Sequence, residues 1–128
     1  MWGPPGTVYV YRSYGIHWCA NIVTGPEGSP SAVLLRGGEV VVGIDAAVER
    51  RGRSDHLADG PGKLTRSLGL EGSASGTLLD DGPLTLEPPY GSVTQIASTP
   101  RIGISRAADV PWRFVEQSRM DVSSSTIP

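Results

Sequence analysis

Two strand-like runs joined by one tight turn constrain this chain more than any other feature. Thr7 to Arg12 (TVYVYR) is built from β-branched and aromatic residues. Ile16 to Val23 (IHWCANIV) alternates, with Ile16, Trp18, Ala20 and Ile22 on one face and His17, Cys19, Asn21 and Val23 on the other. Ser13-Tyr14-Gly15 between them reads as a turn, so the segment predicts a β-hairpin with a tyrosine at its tip. Three of the chain's four tyrosines, Tyr9, Tyr11 and Tyr14, fall on this one stretch.

The remaining punctuation predicts short elements. Seventeen glycines and eleven prolines in 128 residues favour many turns, and the length suits one domain. Trp2-Gly-Pro-Pro-Gly6 is a rigid turn before the hairpin, and Thr24 to Ser31 (TGPEGSPS) is a loop after it. Ala32 to Arg36 is an apolar strand ending in arginine. Ile44 to Arg51 has helical spacing, with Ile44, Ala47 and Val48 on one side and Gly52 as its stop. Asp59 to Gly69 predicts a second helix, with Asp59 or Gly60 near its N-cap and Gly69 ending it. Glu71 to Asp81 reads as loop. Leu84–Leu86, Arg101–Ser105 and Trp112–Val115 read as strands. The fold class is α+β: a single mixed domain, mainly antiparallel strands, with a protruding β-hairpin and two short helices. The domain is expected over residues 1–117, with a flexible tail over 118–128.

Composition removes several function classes. The net charge of −2 gives no global attraction to DNA or anionic lipid, so any nucleic-acid contact needs local clustering of the eleven basic residues. One cysteine, Cys19, excludes an internal disulfide, and two histidines make a Cys/His zinc cage unexpected. No apolar run approaches the ~20 residues of a membrane helix. The N-terminus lacks the charged and apolar regions of a signal peptide.

Among candidate sites, Tyr9 and Tyr11 have an ordinary reading as half-buried sheet residues. Tyr14 does not, because a hairpin tip offers little core to pack into. With Arg12 two residues before it, Tyr14 suits insertion into a base stack. Gly60-Pro61-Gly62-Lys63 fails the P-loop pattern, since Leu64 follows the lysine. What remains is a helix N-terminus carrying the chain's sole lysine, which suits one backbone phosphate or a solvated surface. Arg50, Arg51 and Arg53 form the densest basic cluster, either a solvated helix end or a phosphate contact. The acids show no spacing that marks a catalytic pair. His17 beside Trp18 reads as a packed strand residue. Gly72-Ser-Ala-Ser-Gly76 is not a nucleophile elbow. From the residues alone, the chain offers a DNA-contacting surface and no complete catalytic set.

Gly3-Pro-Pro-Gly-Thr-Val-Tyr-Val-Tyr-Arg-Ser-Tyr-Gly-Ile-His-Trp-Cys-Ala-Asn-Ile resembles the central segment of the alkyladenine (3-methyladenine) DNA glycosylases, whose pattern is P-G-x-x-Y-V-Y-x-x-Y-G-x-x-x-C-x-N. The likeness continues through Ala32 to Arg36, Glu49-Arg-Arg-Gly52, Gly60 to Leu64, Pro100 to Ser105 and Pro111 to Phe114, in family order. The resemblance implies excision of alkylated or deaminated purines after base flipping. It implies that Tyr14 fills the gap in the stack and that Tyr11 walls the base pocket. Asn21 discourages guanine by clashing with its exocyclic amine, Arg36 helps hold the catalytic water and its base, and Arg51 and Lys63 touch DNA backbone; the position of Arg12 beside the hairpin tip adds a third expected backbone contact. It implies duplex DNA holding a damaged purine as partner, no cofactor and no metal, a monomer with no membrane association, and a cytoplasmic site of action, or a nuclear one in a eukaryote.

Two family motifs have no counterpart here. The general-base glutamate stands in a T-E-A-Y-like motif and a pocket histidine in a D-P-A-x-H-like motif, both upstream of the matched segment. The expectation is that Met1 corresponds to an internal methionine of the relatives. A chain of these 128 residues alone is then expected to lack the base and one pocket wall, and to expose surface the upstream segment covers. The competing expectation is a non-catalytic module that senses damaged duplex through the tyrosine hairpin.

Overall fold

The computed structural model describes residues 3–29, 31–88, 96–101, 111 and 113–116. They form an α+β structure of antiparallel strands and two helices. They fall into two compact units, one ending at Leu86 and one beginning at Glu87.

The first unit is organised by the hairpin. β1 (Val8–Ser13) pairs antiparallel with β2 (His17–Thr24), and β2 pairs with β3 (Ser31–Leu34), so β2 is the central strand. Partners across β1–β2 include Val8 with Ile22, Tyr9 with Asn21, Val10 with Ala20 and Tyr11 with Cys19. Because strand side chains alternate, Val8, Val10, Ala20 and Ile22 share one face. That face packs on Leu70 and Ala74, with Trp18, Leu35, Leu79 and Leu84 around them. Val8 is fully buried, and burial of such a side chain contributes about 1.5–3 kcal/mol. The outer edge of β1 is covered by the segment near Ser75: the Val8 N–H donates to the Thr77 carbonyl at 2.7 Å and the Val10 N–H to Ser75 Oγ at 3.1 Å.

The hairpin turn bends through Tyr14 and Gly15, with φ of 53° and 68°. The Ile16 N–H donates to the Ser13 carbonyl at 3.0 Å and closes it. Two successive positive φ angles match the right-handed twist of a hairpin, but a bulky L residue rarely adopts one. Tyr14 therefore sits in a conformation that glycine or asparagine would hold more easily.

α1 (Ile44–Arg51) ends at Gly52, whose φ of 73° and N–H bond to the Val48 carbonyl make it the expected stop. Of Ile44, Ala47 and Val48, Ala47 is buried and Ile44 stays exposed. α2 (Pro61–Leu68) begins after Gly60, carries proline in its first turn and ends at Gly69 with φ 69°. The two helices lock through their C-terminal ends: Arg50 donates to the Ser67 carbonyl at 2.8 Å and Arg66 Nε to the Arg50 carbonyl at 2.8 Å. α2 is pinned to the sheet by the Thr65 hydroxyl, which donates to the Trp18 carbonyl at 2.8 Å.

Five sequence expectations need correction or limits. Leu84–Leu86 is not a strand. The Asp80 N–H donates to the Leu84 carbonyl and the Asp80 carboxylate accepts from the Leu86 N–H, both at 3.0 Å, so a side chain closes this segment locally. Glu71–Asp81 is loop as expected, but it contains a single 3₁₀ turn, Gly72–Ala74. In the second unit, β4 (Ile96–Thr99), not anticipated, pairs antiparallel with β5 (Arg113–Glu116), which overlaps the expected Trp112–Val115 strand. Most of the expected Arg101–Ser105 strand, Trp112 and the tail over 118–128 lie outside the described residues.

Candidate functional site

The face of the hairpin opposite the core carries the candidate residues. Tyr9, Tyr11 and Ser13 alternate onto it from β1, and Asn21, Cys19 and His17 from β2. Asn21 pairs with Leu34, and the Leu35 N–H donates to the Ala20 carbonyl at 2.9 Å, so the β2–β3 register continues past the end of β3. One step further that register sets Arg36 opposite Cys19. The Arg36 charge acts on the Cys19 thiol, in agreement with this placement. Tyr11, Cys19 and Arg36 thus form one cross-strand row, and Tyr9 and Asn21 the next.

Within this face, Tyr11 is 38% exposed while Asn21 and Cys19 are buried. The Tyr9 and Tyr11 rings stack with centroids 5.6 Å apart and planes inclined by 24°. Asn21 Nδ2 donates to the Tyr9 carbonyl at 3.4 Å. Burial raises the Tyr11 hydroxyl above the usual phenol range, and the neighbouring Cys19 thiol adds to this. Burial also raises Cys19, against the lowering effects of Tyr11, Ser13 and Arg36. Both groups are therefore neutral at pH 7, and the face is an uncharged aromatic surface with one arginine at its side. Tyr14 stands beyond it at the hairpin tip, 86% exposed. Behind Tyr9 opens a cleft of about 390 Å³, lined by Gly3, Pro4, Thr7, Ser75 and Leu78 among others.

The cationic candidates sit differently. Arg12 is exposed and lies on the opposite face from Tyr11, its guanidinium carbon 5.0 Å from the centroid of the Trp18 ring. Lys63 Nζ donates to Asp59 Oδ1 at 3.1 Å, and His56 Nδ1 lies 2.6 Å from Asp59 Oδ2. Arg51 donates to the His56 carbonyl at 2.9 Å. Arg53 pairs with Asp55 at 2.8 Å and Arg50 holds α2, so each arginine of the basic cluster has a structural partner.

The structure therefore sets Tyr11, Asn21 and Arg36 on one sheet face with Tyr14 at the hairpin tip beyond it, and leaves Lys63 bound to Asp59 and Arg51 to the His56 carbonyl. Sequence reasoning read Tyr9 as a half-buried sheet residue, which it is, but did not place its ring on Tyr11 or its carbonyl at Asn21. Its position two residues before Tyr11 on a strand was the available signal. It also missed the buried Asp59, whose spacing of four to Lys63 at a helix start was a readable pairing signal. Among the described residues no group of three His, Cys, Asp or Glu side chains could hold a metal ion, and no helix is long and apolar enough to cross a membrane.

The family model for methylpurine-DNA glycosylase (MPG) matches residues 1–120. A protein of Methanoculleus marisnigri named "Putative 3-methyladenine DNA glycosylase" is 51% identical over 120 residues, which is 89% of this chain and 62% of that protein. One of the same name from Nitrosospira multiformis is 49% identical over 116 residues, covering 89% of this chain and 60% of its own length. Another from Frankia casuarinae is 45% identical over 142 aligned positions, covering all of this chain and 67% of its own length. The chain spans about six-tenths of the length of the curated relatives it matches.

Proposed function

Because this chain belongs to the methylpurine-DNA glycosylase family, we propose that it carries the base-flipping and base-recognition surface of a monofunctional purine DNA glycosylase. The domain is read as residues 1–117, within the family match over residues 1–120. The observation that supports this reading is the shared sheet face: Tyr11, Asn21 and Arg36 lie on it, and the strained, exposed Tyr14 projects beyond it.

The chemistry follows from those residues. A damaged nucleotide leaves the duplex, and Tyr14 replaces the lost stacking with a flat ring that has few rotamers to lose. Tyr11 stacks on the flipped purine, more strongly when alkylation has made it electron-poor. Asn21 stands where the family's pocket asparagine does, and it clashes with the exocyclic amine of guanine, so guanine is disfavoured. The bond from purine nitrogen to C1′ breaks with its electron pair leaving on the purine, and water adds at C1′ of the oxocarbenium-like sugar. Arg36 holds that water and the carboxylate that takes its proton. The carboxylate is the family's glutamate; these 128 residues supply the recognition surface and Arg36. Arg12, Arg51 and Lys63 supply phosphate contacts, the last two through the protons their protein partners leave over. The partner is duplex DNA with a damaged purine, bound by a monomer in the cytoplasm, or in the nucleus of a eukaryote.

The test is base release by the natural gene product from a duplex containing hypoxanthine. Release of free hypoxanthine, leaving an abasic site, supports the glycosylase reading. Tight, damage-selective binding with the base left in place would replace it with a non-catalytic sensing module.

A further inference from the structure

We propose that Tyr9 is a positioning residue for the base pocket, a role that rests on the glycosylase reading above. It touches two pocket residues at once. Its ring stacks on Tyr11 at 5.6 Å and 24°, and its carbonyl accepts the Asn21 amide. Tyr11 is more than a third exposed, so its ring needs a neighbour to restrict its rotamers. A stacked ring one strand repeat away restricts them from that side. Tyr9 is itself less exposed than Tyr11 and forms one wall of the cleft with Gly3, Pro4, Thr7 and Leu78. The stack presents Tyr11 already in the orientation a flipped base meets, so less freedom is lost on binding. The bond from Asn21 to the Tyr9 carbonyl is a backbone contact. It depends on register, and side-chain substitution at Tyr9 leaves it in place.

This separates Tyr9 from a residue that merely holds the sheet. Loss of the ring should reduce preference for a damaged base without reducing general affinity for duplex. The experiment uses the natural gene product and two duplexes, one with a single ethenoadenine and one undamaged, with a thermal melt for each variant. Tyr9→Leu and Tyr9→Thr remove the ring and suit a strand; Tyr9→Phe keeps the ring. The expected result is that Leu and Thr variants lose about 5-fold in preference for the ethenoadenine duplex, within the range an aromatic pair supplies. Their affinity for undamaged duplex stays within about 2-fold, and Tyr9→Phe behaves as the unsubstituted protein. Full preference in a folded Leu or Thr variant overturns the positioning role and leaves the glycosylase reading intact. Failure of both variants to fold also overturns it, in favour of a purely structural role. Absence of any preference in the unsubstituted protein overturns both the inference and the reading beneath it.

Discussion

The ammonium of Lys63 lies 3.1 Å from a carboxylate oxygen of Asp59, and the Asp59 side chain is only 4% exposed. Burial pushes the Asp59 carboxyl up, but hydrogen bonds from His56 and Lys63, with their charges, outweigh it and hold the group below the ordinary aspartate range. An acid depressed in the folded state stabilises the fold above its unfolded value and stops doing so as pH falls through the folded one. Stability should therefore decline in acid, beginning below about pH 4 to 5, near the ordinary aspartate value. Asp59→Asn should cost about 2 kcal/mol at pH 7 and flatten that acid limb. Urea unfolding at several pH values measures both. An unchanged limb in the variant would assign the acid sensitivity to other carboxylates.

Tyr14 should show opposite effects on stability and binding. Its φ of 53° penalises a bulky side chain, and at 86% exposure the ring contributes little to the core. Tyr14→Gly removes the penalty and should raise stability by about 0.5–1 kcal/mol. The same change removes the stacking surface and should weaken binding to a damaged duplex by about 10-fold or more. Thermal melts and fluorescence anisotropy read the two effects. A variant that is more stable and binds equally well would remove Tyr14 from the DNA interface.

Salt dependence separates the two proposed phosphate contacts. Arg12 is exposed over Trp18, whereas Lys63 is bound to Asp59. Arg12→Gln should reduce the slope of log affinity against log salt by about 0.9 with little change in stability. Lys63→Gln should lower the slope and also destabilise the fold, by about 1–2 kcal/mol, because Asp59 loses a charged partner. A Lys63 variant with reduced stability and an unaltered slope would make that lysine structural.

Much of the architecture was legible from local chemistry. The β1–β2 hairpin, its two faces, and the stops of α1 and α2 at Gly52 and Gly69 follow from alternation and from glycine's tolerance of positive φ. The family match rests on spaced residues that need no coordinates. Leu84–Leu86 misled because a carboxylate six residues before Leu86 competes with strand pairing, and propensity does not register such a bond. What alternation along β1 and β2 could not reveal was who meets whom across separate segments. Arg36 joins Tyr11 and Cys19 through the β2–β3 register, the Thr65 hydroxyl ties α2 to the Trp18 carbonyl, and Arg66 reaches the Arg50 carbonyl. Periodicity assigns a side chain to a face because backbone geometry repeats locally. Partnership and burial depend on how distant segments pack, and those contacts exist only after the chain has folded.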